Sequence, residues 1–152
     1  MRVFLDTNVI LEFFIEREDV RTAAQLFNRL KDEKAEMYMS VGSFYTMLFL
    51  IDKYLRKELG LTGEVRIATL RSLAVKIVKA ISVVEHDNES LLRGVEDIQF
   101  KDIEDSCQYQ AAVAAGCDFI ITYNVKDYPY TLLPVYSPSD FLHHGSVEPQ
   151  SL

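Results

Sequence analysis

Short apolar runs of strand length alternate with longer segments of helical period along nearly the whole chain, and this alternation constrains the fold more than any single motif. Residues 2–5 (RVFL) read as a buried strand, and VILEFFIERE follows at once, with Val9, Leu11, Phe13 and Phe14 at helical spacing. Asp19 stands where an N-cap belongs before VRTAAQLFNRLKDE, whose Ala23, Leu26, Phe27 and Leu30 share one face. Residues 36–41 (EMYMSV) are a second strand ahead of the apolar helix FYTMLFLIDKYLRKELG, with Gly60 as its C-cap. Thr62 is placed to cap GEVRIATLRSLAVKIVKA, in which Val65, Ile67, Leu70, Leu73, Ile77 and Val78 recur at helical spacing. The series continues with the strand ISVVEH, a short helix over 88–95, and the helix DIEDSCQYQAAVAAG ending at Gly116. The fully apolar strand DFIIT, the short strand LLPVYSP and a helical turn over 138–142 complete it. Strands separated by helices require crossover connections, so the expected fold is α/β, a three-layer α/β/α sandwich with a mainly parallel central sheet.

A chain of 152 residues with 49% hydrophobic content supports one well-buried core, and a single domain is expected over 1–142, with 143–152 as a flexible C-terminal tail. No charge-free apolar run reaches about 18 residues, and Asp6 arrives before a signal-peptide core could form, so a cytoplasmic protein without membrane contact is expected. Cys107 and Cys117 lack zinc-ligand spacing and read as buried free thiols. The net charge of −7 argues against holding nucleic acid by bulk electrostatics. The charge is uneven, however. Residues 52–79 carry Lys53, Arg56, Lys57, Arg66, Arg71, Lys76 and Lys79 against three acids, whereas residues 85–105 carry eight acids against Arg93 and Lys101.

Asp6-Thr7-Asn8 interrupts apolar sequence that resumes immediately, and a carboxylate buried there needs a partner, because unpaired burial costs several kcal/mol. In a parallel sheet, ligands bind beyond the carboxyl ends of strands where strand order reverses. Asp6 follows the first strand; Thr122, Asn124 and Asp127 follow DFIIT. The helix before DFIIT opens with Asp102, Glu104 and Asp105, of which Asp102 and Asp105 share a face while Glu104 is expected to point elsewhere. Helix capping alone would explain either group, but not both groups at one end of the sheet. Clustered carboxylates call for a cation, and Mg2+ or Mn2+ suits oxygen ligands and phosphoryl chemistry. Asp6, Asp102 and Asp105 are the candidate metal ligands. Thr7, Asn8 and Thr122 are candidates to hydrogen-bond the carboxylates or metal-bound water.

FLDTNVILEFFIERE, FKDIEDSCQYQAAVAAGCDFIITYNVKDY and LLPVYSPSDFL together resemble the PIN-domain proteins, particularly the small bacterial branch similar to VapC toxins, over residues 1 to 142. The resemblance implies a three-layer fold with an acidic pocket for Mg2+ or Mn2+ and ribonuclease activity. It places the first family aspartate on Asp6 with Asn8 as its polar partner, the next on Asp105 with Asp102 nearby, and the strand-end position on Asn124, where Asp127 can supply the charge. The family's early glutamate, counted six beyond the serine at Ser40, falls on Thr46 instead, and no acid lies between Met37 and Ile51. Ser40 is carried over as an outer residue of the site. RNA as substrate, an antitoxin partner and a homodimer are implied in the same way. The alternative is a catalytically weak nucleic-acid-binding or protein-interaction module, which Thr46 and Asn124 favour. A Rossmann-type nucleotide site is disfavoured, since neither GxGxxG nor GxxxxGK[ST] occurs. His86, His143 and His144 read as surface residues, and Phe44, Tyr45, Phe49 and Tyr54 as core or subunit interface rather than a base-stacking platform.

Overall fold

A computed structural model of the chain describes residues 1–129 and 131–143. Apart from His143, the expected C-terminal tail, with His144, lies outside the described residues. Five parallel strands, β1 (Arg2–Leu5), β2 (Glu36–Ser40), β3 (Ser82–Val84), β4 (Phe119–Ile121) and β5 (Val135–Tyr136), form one sheet in the order β3-β2-β1-β4-β5. The chain builds outward from β1 to β3, then crosses to β1's other side for β4 and β5. The reversal of order therefore falls between β1 and β4, where Leu5 is in register with Ile121.

Alternate side chains of a strand point to opposite faces, so β1 serves two cores. Val3 and Leu5 join Met39, Phe119 and Ile121 in a cluster with α1 (Thr7–Phe14), α2 (Val20–Asp32), α3 (Val41–Lys57), the end of α4 (Gly63–Ala80) and α7 (Pro138–His143). Phe4 and Ile120 face the other way, against Tyr109, Ala111 and Ala112 of α6 (Ile103–Ala114), with Phe100 and Tyr128. These are the three layers the alternation predicts. The helix α5 (Asn88–Glu96) lies against α6 at a close approach that Gly94 permits: a Cβ there would stand 2.9 Å from Cys107 Sγ and 3.1 Å from its Cα. Gly116, at φ +62, turns the chain out of α6 into β4, as an L side chain rarely does.

Several sequence expectations need correction. Of the α4 residues at helical spacing only Ile77 is buried, while Val65, Ile67 and Val78 are exposed. Periodicity marks a face without saying what covers it, and α4 meets only α3 and the edge strand β3 in any extent. Along α3 the buried face is Ser43, Met47, Ile51 and Leu55, with Phe44 and Tyr54 partly buried and Tyr45 and Phe49 in solvent. Cys117 is a buried free thiol as expected, but Cys107 is only half-buried. His86 is not on the surface: it is half-buried, its Nδ1 enclosed without a partner, and burial lowers its pKa against the pull of Asp87. Asp19 and Thr62 occupy N-cap positions without making the backbone bond of a cap; Asp19 accepts instead from the Thr22 hydroxyl at 2.6 Å.

Candidate active site

β1 runs straight into α1, so Asp6 is both the first residue past the strand and the N-cap position of a helix. Its N–H donates to Ile121 O at 3.0 Å, carrying the β1–β4 pairing one residue beyond the strand. Its carboxyl is 2% exposed and accepts from Thr122 Oγ1 at 2.7 Å. The Thr122 hydroxyl in turn accepts from the Asn124 N–H at 3.0 Å, which fixes the loop after β4 to the same point. Burial pushes the Asp6 carboxyl up, opposed by hydrogen bonds from Thr122 and Gln108 and by the Thr7 and Asn8 amides, which favour its charge without completing a cap bond.

From the opposite layer, α6 points its N-terminus at Asp6. Asp102 caps that helix, its Oδ1 accepting from the Glu104 and Asp105 amides at 2.7 and 3.4 Å, so the capping explanation holds for one of its oxygens. A cavity of about 210 Å³ lies between α1, α3, α6 and the loop after β4. It is lined by Asp6, Thr7, Asn8, Asp102, Asp105, Asn124 and Asp127, which the sequence had nominated. Thr122 acts from below through its bond to Asp6. Ser40 is not on the lining: it caps α3, accepting from the Ser43 N–H at 3.0 Å and hydrogen-bonded to the Ser43 hydroxyl at 2.8 Å.

Three residues of the lining escaped the sequence. Glu104 does not point elsewhere; it reaches the cavity that Thr46 also lines, because the first turn of α6 packs beside α3 and a long side chain there can span the gap. Gln108, 2% exposed, also lines it, and its spacing of three from Asp105 was a legible signal for one helix face. Leu50 supplies the apolar wall.

The cavity has no basic residue on its lining. Asp105 is pushed up to about 7, first by burial and then by the charges of Asp6, Asp102, Asp127 and Glu104. The charges of Asp6, Asp105, Asp102 and Glu104 raise the buried Tyr128 hydroxyl beyond what burial alone does, and that hydroxyl has no hydrogen-bond partner.

The sequence matches the PIN domain family over residues 2–126. The chain belongs to the PIN-domain family. This PIN domain is similar to Ribonuclease VapC1 of Aquifex aeolicus (strain VF5), at 26% identity over 145 residues that span 92% of each chain. Among solved structures it resembles FitAB bound to an IR36 DNA fragment, with a TM-score of 0.66 and 16% identity over 93% of this chain and 99% of the other. It also resembles VapBC-1 from nontypeable Haemophilus influenzae, with a TM-score of 0.64 and 15% identity over 91% and 99%. VapBC2 from Rickettsia felis bound to a DNA fragment from their promoter gives 0.62 and 12% over 90% and 98%. At these identities the structural likenesses establish the fold.

As they stand, no three His, Cys, Asp or Glu side chains among the described residues are arranged to hold a metal ion. The lining nevertheless suits a hydrated hard cation. Its donors are all oxygen, and Mg2+ keeps several waters and needs only one or two direct carboxylates. Gln108 Oε1 and Thr7 Oγ1, on two residues of this PIN domain's cavity lining, are buried and without partners. Buried polar atoms are ordinarily satisfied, so a cation or its waters would fit beside these two.

Proposed function

We propose that this PIN domain is a Mg2+- or Mn2+-dependent endoribonuclease of the cytoplasm that hydrolyses RNA phosphodiester bonds as the toxin of a toxin–antitoxin pair. The observation that carries the reading is the buried Asp6 carboxylate, anchored by Thr122 in a cavity that collects four further carboxylates and no cationic side chain. Asp6 and Asp105 are the residues to hold the ion, Asp102 offers the oxygen its capping bonds leave free, and Asp127 on the rim contributes through water. A divalent ion in that position supplies an activated water and a counter-charge for the phosphoryl oxygens. Asn8 and Asn124, with amides at the cavity, orient the attacking water, and Thr122 keeps Asp6 in place for it.

RNA reaches the cavity along α3. Leu50 also lines a shallow depression of about 190 Å³ whose other walls are Lys53, Tyr54, Lys57 and Glu58, giving two cations and an aromatic beside the acidic cavity. Phosphate contacts position a nucleic acid, and an aromatic face accepts an unpaired base. The similarity to a protein named Ribonuclease VapC1 supports the reaction class, and the VapBC and FitAB relatives support a second protein as antitoxin. A homodimer belongs to the same reading, with the exposed Tyr45 and Phe49, one turn apart on α3, as apolar surface for it to cover.

The neutral Thr46 and Asn124 on the lining favour a second reading, a PIN-like binding module that cleaves weakly or not at all. Incubating labelled single-stranded RNA with purified protein and Mn2+, Mg2+ or chelator, beside Asp6→Asn and Asp105→Asn, separates the two. Metal-dependent cleavage lost in both variants, with circular dichroism unchanged, supports the nuclease. Activity that survives in both variants, or none in any sample, sinks it.

A further inference from the structure

We infer that the depression beside the acidic cavity is a base-reading subsite, in which Glu58 selects an unpaired guanine of the RNA and Tyr54 stacks on it; the inference rests on the RNA-cleaving reading above. Leu50, Tyr54 and Glu58 follow one another at intervals of four along α3 and its C-cap, so they form one row. Leu50 is a wall of the acidic cavity as well, and Glu58 stands about 12 Å further along the helix at about 1.5 Å per residue. A nucleotide in the depression is therefore a near neighbour, on the same strand, of the phosphate at the carboxylates. Lys53 and Lys57 form the adjacent row and line the same depression, which suits them to the phosphates on either side of that base.

Glu58 is the residue that neither folding nor general affinity for RNA accounts for. It is the C-cap of α3, its N–H donating to Tyr54 O at 2.9 Å, so its charge stands at the negative end of the helix dipole. It also repels phosphate. Among the described residues it makes no ion pair, although Lys53 and Lys57 share the depression with it, and neither lysine is paired elsewhere. A carboxylate left unpaired beside an aromatic ring is a free pair of acceptors. On the Watson–Crick edge of an unpaired base, guanine alone offers two adjacent donors, N1–H and the N2 amino group, which match the two oxygens of one carboxylate. Adenine, cytosine and uracil set an acceptor beside their donor, and the second carboxylate oxygen repels it. Tyr54 packs half-buried against the main core while it lines the depression, and an aromatic face accepts a base of any identity. Selection thus falls to Glu58, whose repulsion of phosphate makes it discriminate rather than adhere.

The test is fluorescence anisotropy in chelator, with the full-length protein and a labelled oligouridine carrying a single guanine, inosine, adenine or uridine at its centre. The wild type is expected to bind the guanine probe about 5- to 150-fold tighter than the uridine probe, with inosine, which lacks the N2 amino group, in between. Glu58 is exposed, so its variants keep the fold. Glu58→Ala is expected to erase the preference, and Glu58→Gln, whose amide sets a donor beside an acceptor, to move it toward adenine. Tyr54→Leu is expected to weaken the guanine and adenine probes alike, by about 5- to 150-fold. A guanine preference absent from the wild type, or kept at full strength in Glu58→Ala, overturns the subsite. Binding in chelator needs no cleavage, which separates the two levels. Metal-dependent cleavage by a wild type that binds all probes equally overturns Glu58 as the reader and leaves the nuclease standing. Guanine-selective binding that is lost in Glu58→Ala, with no cleavage under either metal, supports the subsite and overturns the nuclease. No binding of any probe by the wild type overturns the subsite and gives the depression to a protein partner.

Discussion

Thr122 Oγ1 donates to Asp6 Oδ2 across 2.7 Å, tying together two residues 116 positions apart at the ends of adjacent strands. The same hydroxyl accepts from the Asn124 N–H, so it serves as donor and acceptor at once. Thr122→Val keeps the shape and strands a buried carboxylate oxygen and an amide. The expected cost is about 1–3 kcal/mol, read as a fall of a few degrees in melting temperature. A Val variant that melts with the wild type would show the bond to be dispensable.

Gln108→Leu is expected to separate function from stability. It removes a side-chain amide that favours the Asp6 carboxylate, and it also removes a buried Oε1 that has no partner, so the two effects on folding oppose one another within about 1 kcal/mol. Metal affinity and RNA cleavage, which depend on Asp6 being held, fall by about 10- to 100-fold. Urea midpoints measured beside cleavage rates check it; equal loss of both would make Gln108 an ordinary core residue.

The pH dependence follows from Asp105. Its carboxyl titrates at about 7 in the fold against 3.8 for the free group, so the native state holds the proton where the unfolded chain has released it. In chelator this group's contribution is full below about pH 4 and is lost as pH rises through 7. Urea midpoints in chelator should therefore decline from pH 5 toward pH 8, and Asp105→Asn should flatten the decline and melt higher than the wild type at the alkaline end. A steeper alkaline decline in the variant would reverse the sign and the argument.

Gly94→Ala is a test of the α5–α6 contact. A methyl in mid-helix ordinarily gains about 1 kcal/mol over glycine. Here it would meet Cys107 Cα at 3.1 Å and N at 3.2 Å, and backbone does not yield as a side-chain tip does. The expected result is a net loss of about 1–3 kcal/mol by denaturant titration. Stabilisation would mean that the two helices part freely.

The α3 groove makes a prediction about salt. If Lys53 and Lys57 each neutralise one phosphate of a single strand, Lys53→Ala and Lys57→Ala each lower the slope of log K against log salt by about 0.7. Fluorescence anisotropy with labelled RNA in chelator measures it, and Lys79→Ala, far along the chain from the groove, serves as the comparison. Slopes unchanged by either groove variant would place the RNA elsewhere.

The layered fold was legible because alternation of short apolar runs with helical periods has few solutions, and β4 in particular, Phe119–Ile121, is buried on both faces as its composition requires. Asp6, Asp102, Asp105, Asn124 and Asp127 could be nominated because strand ends and helix starts are written in local sequence, and all five line one cavity. Glu104 could not, since helix phase decides only where a side chain leaves the backbone; the packing of α6 against α3 decides where a long one arrives. The helix α4 was legible from its spacing, but its exposed side was not: periodicity records amphipathicity, and the partner that makes a face a core is not in the period.

The position of β1 at the centre of the sheet has a consequence for the timing of synthesis. Asp6 leaves the ribosome with the first strand, but Thr122, which anchors it, is made 116 residues later. At about 5–20 residues per second the two are separated by roughly 6–23 s of translation, during which β1 has a neighbour on one side only. No arrangement of the residues that precede α6 can gather the carboxylates. The order in which the strands are made thus builds a delay into the molecule, and the cavity comes into being only when nearly all of the chain that frames it is in hand.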